Sequence, residues 1–241
     1  MAKAPKTAYV CNDCGAEFSR WQGQCSACKA WNTISEVRLI SASNSTKNDR
    51  FSGYAGETRA KIQTLSEISL QETPRFTSGF KELDRVLGGG IVPGSAILIG
   101  GHPGAGKSTL LLQVMCELAK NMTALYVTGE ESLQQVAMRA NRLNLPTDKL
   151  NMLSETSVEQ ICNLADQLKP QIIVVDSIQV MHLSDIQSSP GSVAQVRECA
   201  SFLTRYAKTR QVAIIMVGHV TKDGTLAGPK VLEHAIDCSL L

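Results

Sequence analysis

The sequence contains no apolar run long enough to cross a bilayer, and no apolar stretch lies near Met1. A transmembrane helix needs about 20 apolar residues and a secretory signal needs an apolar segment close to the start. We therefore expect a cytoplasmic protein without membrane contact. The net charge is also small, at +2 over 241 residues. A general polyanion binder is excluded, and any contact with nucleic acid must come from local basic patches.

Composition divides the chain into three parts. Aromatic residues make up only 5% of the sequence, yet both tryptophans fall within residues 1–36, beside a cluster of cysteines. Residues 37–65 are rich in Ser, Asn, Gly and charge, which predicts a flexible linker. In residues 66–241, strand-like apolar runs alternate with helical patterns, which predicts an α/β core with a mostly parallel sheet. The last run, HAIDCSLL, reads as a strand, so we expect the chain to be a fragment.

The segment CNDCGAEFSRWQGQCSACKAW contains two matched pairs, Cys11 with Cys14 and Cys25 with Cys28. Two such knuckles can bring four thiolates into a tetrahedron around Zn²⁺, which predicts a small zinc module. A redox role for one pair is the alternative, and the presence of two matched pairs argues against it. The other cysteines are expected to be small buried hydrophobic residues: Cys116, Cys162, Cys199 and Cys238.

Two roles for this module remain open at this point. About thirty residues cannot build a sufficient core alone, so the metal serves a structural purpose. The module could also bind nucleic acid or a partner through Arg20, Trp21, Lys29 and Trp31, since basic residues among exposed aromatics suit stacking on single strands. Trp21 and Trp31 could instead cap the small core, and we expect at least one of them to do so.

A phosphate-binding loop is predicted by Gly101-x4-Gly106-Lys107-Ser108, which lies directly between a strand-like run and a helical pattern. Glycines there allow backbone N–H groups to surround a phosphate, and the helix N-terminus adds partial positive charge. A glycine turn with an incidental lysine is the alternative. The residues expected at the nucleotide, ATP, are Gly101, His102, Pro103, Gly104, Ala105, Gly106, Lys107, Ser108 and Thr109.

The pattern assigns roles around that loop. Lys107 should bridge the β- and γ-phosphates and Ser108 should bind Mg²⁺. Asp176 follows the apolar run IIVV and is placed to complete the magnesium site. Hydrolysis also needs a base for the attacking water, and the GEES segment offers Glu130 and Glu131. Glu131 suits a charge at a helix start beside an N-cap Ser132, which leaves Glu130 as the catalytic candidate.

Four segments together resemble the RecA/KaiC-type ATPase core. They are TSGFKELDRVLGGGIVPGSAILIGGHPGAGKST, GEES, VVDSIQ and GHVTKDG. With the pattern CxxCGxxxxxWxGxCxxCxxW ahead of that core, the chain resembles the bacterial RadA/Sms family of DNA repair proteins. The likeness covers essentially all 241 residues, and two unrelated motifs occur in the expected order.

That resemblance implies a DNA-dependent ATPase that processes recombination intermediates and promotes branch migration with a strand-exchange recombinase. It implies single-stranded or branched DNA as a partner and a homo-oligomeric ring. It also supports Lys107, Ser108 and Asp176 at the nucleotide, Glu130 as catalytic, and zinc on the four clustered cysteines. Family members continue with a Lys-Asn-Arg-Phe-Gly motif and a Lon-protease-like domain, and neither occurs in this sequence.

In RecA-type cores, two loops after neighbouring strands line the DNA channel, and here they correspond to residues 178–191 and 219–230. The second loop, GHVTKDGTLAGPK, follows a buried apolar run with almost nothing to pack. We expect its basic and hydroxyl side chains to contact DNA phosphates, and His219 to sense the γ-phosphate. The alternatives are a solvated surface loop and a hydrogen-bonded strand-end histidine. The expected DNA contacts are Thr221, Lys222, Thr225 and Lys230.

Two other functions compete with a DNA-stimulated ATPase. One is a KaiC-like regulatory ATPase or autokinase that acts through protein contacts. The other is a small-molecule kinase with an unrelated zinc module. The cysteine cluster and the lysine loop favour the DNA-stimulated ATPase over the regulatory one, and no obvious lid for a phosphate acceptor supports the kinase.

Overall fold

Two β-sheets organise the chain. The computed structural model describes residues 6–11, 13–39, 64, 74–219, 232 and 235–241. Within them, a three-stranded antiparallel sheet lies in the N-terminal part and a six-stranded parallel sheet lies in the remainder. This confirms the predicted fold class, an α/β RecA-like core preceded by a small zinc-ribbon-like module.

The N-terminal sheet has the order β2-β1-β3. Its strands are β1 (Lys6–Cys11), β2 (Glu17–Phe18) and β3 (Ile34–Leu39). Each cysteine pair sits in a tight turn, because the N–H of Gly15 donates to the carbonyl of Cys11 and that of Lys29 donates to the carbonyl of Cys25, at 2.9 and 2.8 Å. Gly15 and Lys29 both have positive φ, 73° and 65°. The two knuckles therefore have the same backbone form.

The core of this module is filled without either tryptophan. Trp21 and Trp31 are 59% and 69% exposed, so the expectation that at least one of them caps the core is wrong. Three short strands cover only a small area, and smaller side chains with two other rings occupy it. The core residues are Tyr9, Cys11, Cys14, Ala16, Phe18, Cys25 and Ile34.

The parallel sheet has the order β6-β5-β7-β8-β4-β9. Every residue of its four central strands is buried, because helices cover both faces, and such strands read as continuous apolar runs. In chain order the strands are β4 (Ala96–Ile99), β5 (Ala124–Thr128), β6 (Asn151–Ser154), β7 (Ile172–Asp176), β8 (Ala213–Val217) and β9 (Cys238–Leu240).

Five α-helices accompany this sheet in the described part of the chain. They are α1 (Lys81–Val86), α2 (Lys107–Leu118), α3 (Leu133–Arg142), α4 (Val158–Leu168) and α5 (Val193–Arg210). Ser132, Ser157 and Ser192 each accept a hydrogen bond from the N–H three residues onward, so α3, α4 and α5 begin at polar caps. Among these helices, none has the length and apolar character that crossing a membrane requires.

Helices α2 and α3 pack on one face of the sheet and α4 and α5 pack on the other, which gives two apolar cores. Cys116, Cys162 and Cys199 are buried there as expected, whereas Cys238 is only half-buried on the edge strand β9. Burial raises the pKa of the Cys162 and Cys199 thiols to about 12. These buried thiols stay protonated at neutral pH and act as small hydrophobic groups.

Strand order explains where ligands can bind. The chain places β4 between β8 and β9, while β5 lies beyond β7. In such open parallel sheets the crevice for ligands lies at the carboxyl ends of the strands, where the strand order switches. The loops that follow β4, β5, β7 and β8 therefore meet at one edge.

The first loop that was expected to line DNA, residues 178–191, is fastened to the core by one buried side chain. Gln195, only 2% exposed, accepts a hydrogen bond from the N–H of Leu183 at 3.0 Å. Its amide nitrogen donates to the carbonyls of Leu183, Ile186 and Ser188 at 3.3, 2.9 and 3.0 Å. The side chain of Gln195 thus provides hydrogen bonds to backbone groups from Leu183 to Ser188.

We expect Gln195→Leu to lower the free energy of unfolding by about 1–3 kcal/mol, because it leaves buried backbone groups without partners. Denaturation by urea measures the change. Gln160→Leu is the matched control, since Gln160 is exposed on α4 and should change stability little. Equal stability of the two variants would contradict the role of Gln195.

Candidate functional site

The loop between β4 and α2 closes around the ammonium group of Lys107. Its Nζ donates to the carbonyls of Gly101 and His102 at 2.7 and 2.9 Å, and the side chain is buried. Gly104 and Gly106 have φ of +82° and +87°, a left-handed conformation that glycine adopts without strain. A buried cation and the N-terminus of α2 therefore meet in one loop, which is the arrangement that binds phosphate groups.

This loop forms one wall of a cleft of about 370 Å³ at the carboxyl edge of the sheet. Six of the nine residues predicted at the nucleotide line the cleft, and Gly101, His102 and Ala105 do not. Thr128, Glu131 and Arg139 line it as well, although they were not predicted to. The lining residues are Pro103, Gly104, Gly106, Lys107, Ser108, Thr109, Thr128, Glu130, Glu131, Arg139, Asp176 and His219.

Asp176, the last residue of β7, is anchored through one oxygen. Its Oδ2 accepts a hydrogen bond from the hydroxyl of Tyr126 at 2.6 Å. Tyr126 is fully buried in β5, and burial together with the charge of Asp176 raises its pKa well above the ordinary value. The hydroxyl therefore remains a donor at any physiological pH. Within the described residues, Oδ1 of Asp176 accepts no hydrogen bond.

Glu130 is anchored in the same way, by two donors on one oxygen. Its Oε1 accepts a short hydrogen bond from Ser177 Oγ and lies 3.0 Å from His219 Nε2. Ser177 is fully buried at the end of β7, and His219 follows β8. Three neighbouring strands thus contribute to one contact. The other oxygen, Oε2, has no hydrogen-bond partner in the described part of the chain.

The surroundings of Glu130 keep it ionised. Partial burial tends to raise the pKa of the Glu130 carboxyl, but hydrogen bonds from Ser177 and His219 and the charges of His219 and Lys107 outweigh it, so the pKa falls below the usual range. The carboxylate is therefore charged at neutral pH. The buried Nδ1 of His219 has no hydrogen-bond partner among the described residues.

Glu131 precedes α3 and has a different partner from Glu130, a side chain in the last turn of that helix. It forms a short ion pair with Arg139 Nη2 on α3, and its backbone N–H donates to Thr128 Oγ1 at 3.1 Å. Ser132 caps α3 together with Gln135. Arg139 Nη1 is buried without a hydrogen-bond partner in the described residues. The two adjacent glutamates are therefore held apart, one by α3 and one by the ends of β7 and β8.

The four residues expected to contact DNA lie outside the described residues. In the sequence, the segment that carries them begins one position after His219, which lines the cleft. They are Thr221, Lys222, Thr225 and Lys230.

The four clustered cysteines converge into a candidate metal centre. Their sulfur atoms all lie within 4.8 Å of one another, with Cys11 3.7 Å from Cys28 and Cys14 3.5 Å from Cys25. A tetrahedron of sulfurs about 2.3 Å from a Zn²⁺ ion has edges of about 3.8 Å. The four thiols therefore fit a four-coordinate metal of zinc's size and ligand preference.

Two thiols of the cluster, Cys11 and Cys25, ionise more easily than usual. Hydrogen bonds to the sulfur of Cys25, led by the one from the N–H of Cys28, lower its pKa. Burial alone would raise the pKa of Cys11, but hydrogen bonds from Thr33 and from the N–H groups of Cys14 and Asp13 lower it to about 6. Burial raises the pKa of Cys14 to about 12. Metal binding requires thiolates, so Cys11 provides the first ligand at neutral pH and a bound cation would draw the protons from the others.

Two family models match this chain. The model described as an AAA domain matches residues 62–225. The model described as a rubredoxin metal binding domain matches residues 9–36, the segment that contains the four cysteines. The two matches coincide with the phosphate-loop core and the metal centre described above.

Curated proteins match over the full chain. A protein named DNA repair protein RadA from Haemophilus influenzae is 94% identical over 241 residues, which is 100% of this chain and 52% of that protein. Proteins of the same name from Escherichia coli and Bacillus subtilis are 73% and 46% identical, again over 100% of this chain and 53% and 52% of their own lengths. The chain therefore spans about half the length of the curated relatives it matches.

Besides Thr128, the sequence did not reveal three side chains that bond the carboxylates of the site: Tyr126, Ser177 and Arg139. Tyr126 donates to Asp176, 50 residues away in the sequence, and Ser177 donates to Glu130, 47 residues away. A local sequence pattern cannot predict contacts between residues so far apart. Arg139 lies on α3, whereas Glu131 precedes the cap of that helix, so helical spacing did not predict their ion pair.

We expect Cys28→Ser to lose the bound metal while the parallel-sheet core stays folded, because the hydroxyl of serine is a poor zinc ligand. Zinc released on unfolding, counted with a colorimetric chelator, measures the metal. The thermal transition of the core serves as the internal control. Full zinc content in this variant would contradict a four-cysteine site.

We expect Tyr126→Phe to weaken ADP binding about tenfold in the presence of Mg²⁺ and to leave it unchanged in EDTA. The reason is that Asp176 loses its only donor on Oδ2 and with it a fixed orientation. A fluorescent ADP analogue measures both affinities. Tyr206→Phe is the matched control, since its hydroxyl bonds Asp166 away from the cleft. Equal affinity losses with and without Mg²⁺ would refute the positioning of Asp176.

Proposed function

Because this chain belongs to the AAA domain family and matches proteins named DNA repair protein RadA along its whole length, we propose that it is a DNA-stimulated ATPase that acts in DNA repair. One observation supports this most. Glu130 and Asp176 each have one oxygen fixed by neighbouring strands and one oxygen left unbonded among the described residues, and both line the cleft that contains Lys107.

The phosphate loop would hold the nucleotide. Lys107 lies where its ammonium group can exchange the carbonyls of Gly101 and His102 for the β- and γ-phosphates of ATP. Ser108 lies in the first turn of α2 and lines the same cleft as Asp176, so their oxygens are the candidates for Mg²⁺ and its water shell. Bound Mg²⁺ would neutralise charge on the β- and γ-phosphates.

Glu130 would orient and deprotonate the attacking water. Its fixed Oε1 sets the direction of Oε2, and its lowered pKa keeps the acceptor charged at neutral pH. A base held within hydrogen-bond reach of the water contributes about 10²–10⁴-fold to such reactions. The proton from the water would move to Oε2.

His219 would report the state of the nucleotide. It contacts Glu130 on one side and directly precedes the segment with Lys222 and Lys230 on the other. Loss of the γ-phosphate changes the charge beside Glu130, and therefore the strength of its contact with His219. This link connects hydrolysis with the segment that we assign to DNA.

The loop after β8 is the better candidate for phosphate contacts than the loop after β7. Residues 178–191 contain no lysine or arginine and include Asp185, and Gln195 fastens them to α5. Residues 219–230 contain Lys222 and Lys230 with one acid, Asp223, and so have a net positive charge. We therefore assign backbone contacts with DNA to Thr221, Lys222 and Lys230.

The finer parts of the proposal rest on the likeness to the RadA/Sms family. They are a zinc ion on the four cysteines, action on single-stranded or branched recombination intermediates by branch migration, cooperation with a strand-exchange recombinase, and a homo-oligomeric ring. The assignment of residues 1–36, 37–65 and 66–241 to a zinc module, a linker and an ATPase core is part of the same proposal, except that the module extends to Leu39, because β3 pairs with β1 up to that residue. The KaiC-like regulatory role is not favoured, because the relatives are named as DNA repair proteins.

The decisive experiment measures ATP turnover with and without single-stranded DNA at two salt concentrations. We expect stimulation by DNA that weakens at the higher salt, because phosphate contacts release counterions. Lys107→Ala should abolish turnover without unfolding the protein, and the exposed Lys120→Ala should behave as the parent chain. Turnover that is indifferent to DNA at both salt concentrations would refute the proposal and favour the regulatory alternative.

A further inference from the structure

Two exposed indole rings stand out on the metal-binding module. Trp21 and Trp31 are 59% and 69% exposed, and they are the only two tryptophans of the chain. All other aromatic side chains whose burial the structure describes are buried or half-buried. Folding therefore leaves the two largest rings in water, although apolar surface of this size normally packs against a core or a ligand.

The two rings converge on one point of the backbone. A Cβ atom at Gly23 would lie 3.7 Å from Cη2 of Trp21 and 3.8 Å from Cζ3 of Trp31. The backbone beneath them is fixed, because Gln24 and Trp31 form an antiparallel bridge and the N–H of Asn32 donates to the carbonyl of Gly23 at 2.8 Å. The rings are thus presented together by an ordered turn.

The charged residues nearest the two tryptophans in the sequence have one sign. From Phe18 to Ser35 the sequence contains Arg20 and Lys29 and no acidic residue. Both basic side chains are exposed, and each lies within two residues of a tryptophan. A negatively charged partner is therefore favoured over a basic or neutral one at this position. A partner with both flat rings and phosphate groups matches the tryptophans and the basic side chains.

We propose that Trp21 and Trp31 form a stacking site for single-stranded DNA, in which bases lie against the indole rings and Arg20 and Lys29 contact the adjacent phosphates. None of these residues belongs to the loop after β8. The stacking site deepens the proposed function, since it rests on DNA being the partner, but it requires neither ATP nor the cleft. The contact is sequence-tolerant, because every base presents an aromatic face.

Intrinsic fluorescence tests the site directly, because the chain has no other tryptophan. The full chain with its metal is titrated, without nucleotide, with an oligothymidylate of about 20 nucleotides. We expect strong quenching of tryptophan emission that saturates with binding. Unchanged emission at saturating oligonucleotide would overturn the proposal, even if a protein later proved to bind this surface.

Substitutions of the two tryptophans test whether their rings stack on bases or are only exposed. We expect the double variant Trp21→Ala, Trp31→Ala to bind a labelled oligothymidylate at least about tenfold more weakly, and the double variant Trp21→Phe, Trp31→Phe to recover most of that loss. Met138→Ala is the matched control, because Met138 is 65% exposed on α3. Zinc content confirms that each variant keeps a folded module. Wild-type affinity in the alanine variant would refute the site.

The outcome is distinct from the test of the proposed function. Quenching without DNA-stimulated ATP turnover would support the stacking site and reject the motor. DNA-stimulated ATP turnover without quenching of tryptophan emission would support the proposed ATPase function and reject the stacking site.

Discussion

The candidate site depends on one constraint, the fixing of two carboxylates through a single oxygen each. Tyr126 in β5 holds Asp176 in β7, and Ser177 and His219 hold Glu130 from the ends of β7 and β8. Parallel strands in register make this possible, because their carboxyl ends meet at one edge. Since all three anchoring side chains are buried or half-buried, the unbonded oxygens keep their direction, and the lysine of the phosphate loop lines the same cleft.

The ends of β7 and β8 also connect the cleft with the segments that follow these strands. The contact between His219 and Glu130 joins the cleft to the segment after β8, whereas the segment after β7 is fastened down by Gln195. The loop after β7 is thus fastened to the core, and His219, which makes the contact with Glu130, lies directly before the segment that we assign to DNA. The metal-binding module adds a second candidate surface. Four converging thiols lie beside its small core, and both tryptophans remain exposed.

The fold and half of the site were predictable from local patterns. The phosphate loop, the strand-end Asp176 and the paired cysteines follow from spacing, and the strand runs follow from burial on two faces. What was missed involves partners far apart in sequence. The tryptophans were misjudged because their exposure depends on how little area three short strands enclose, and Tyr126, Ser177 and Gln195 act on residues or loops that only the folded chain brings near.

The central claim is that Glu130, oriented by Ser177 and His219, deprotonates the attacking water. The most direct measurement is single-turnover hydrolysis of ATP by Glu130→Gln, with Glu131→Gln as the neighbouring control. We expect Glu130→Gln to bind ATP with parental affinity and to hydrolyse it about 10²–10⁴-fold more slowly, while Glu131→Gln retains far more activity. Hydrolysis by Glu130→Gln at the parental rate would contradict the account.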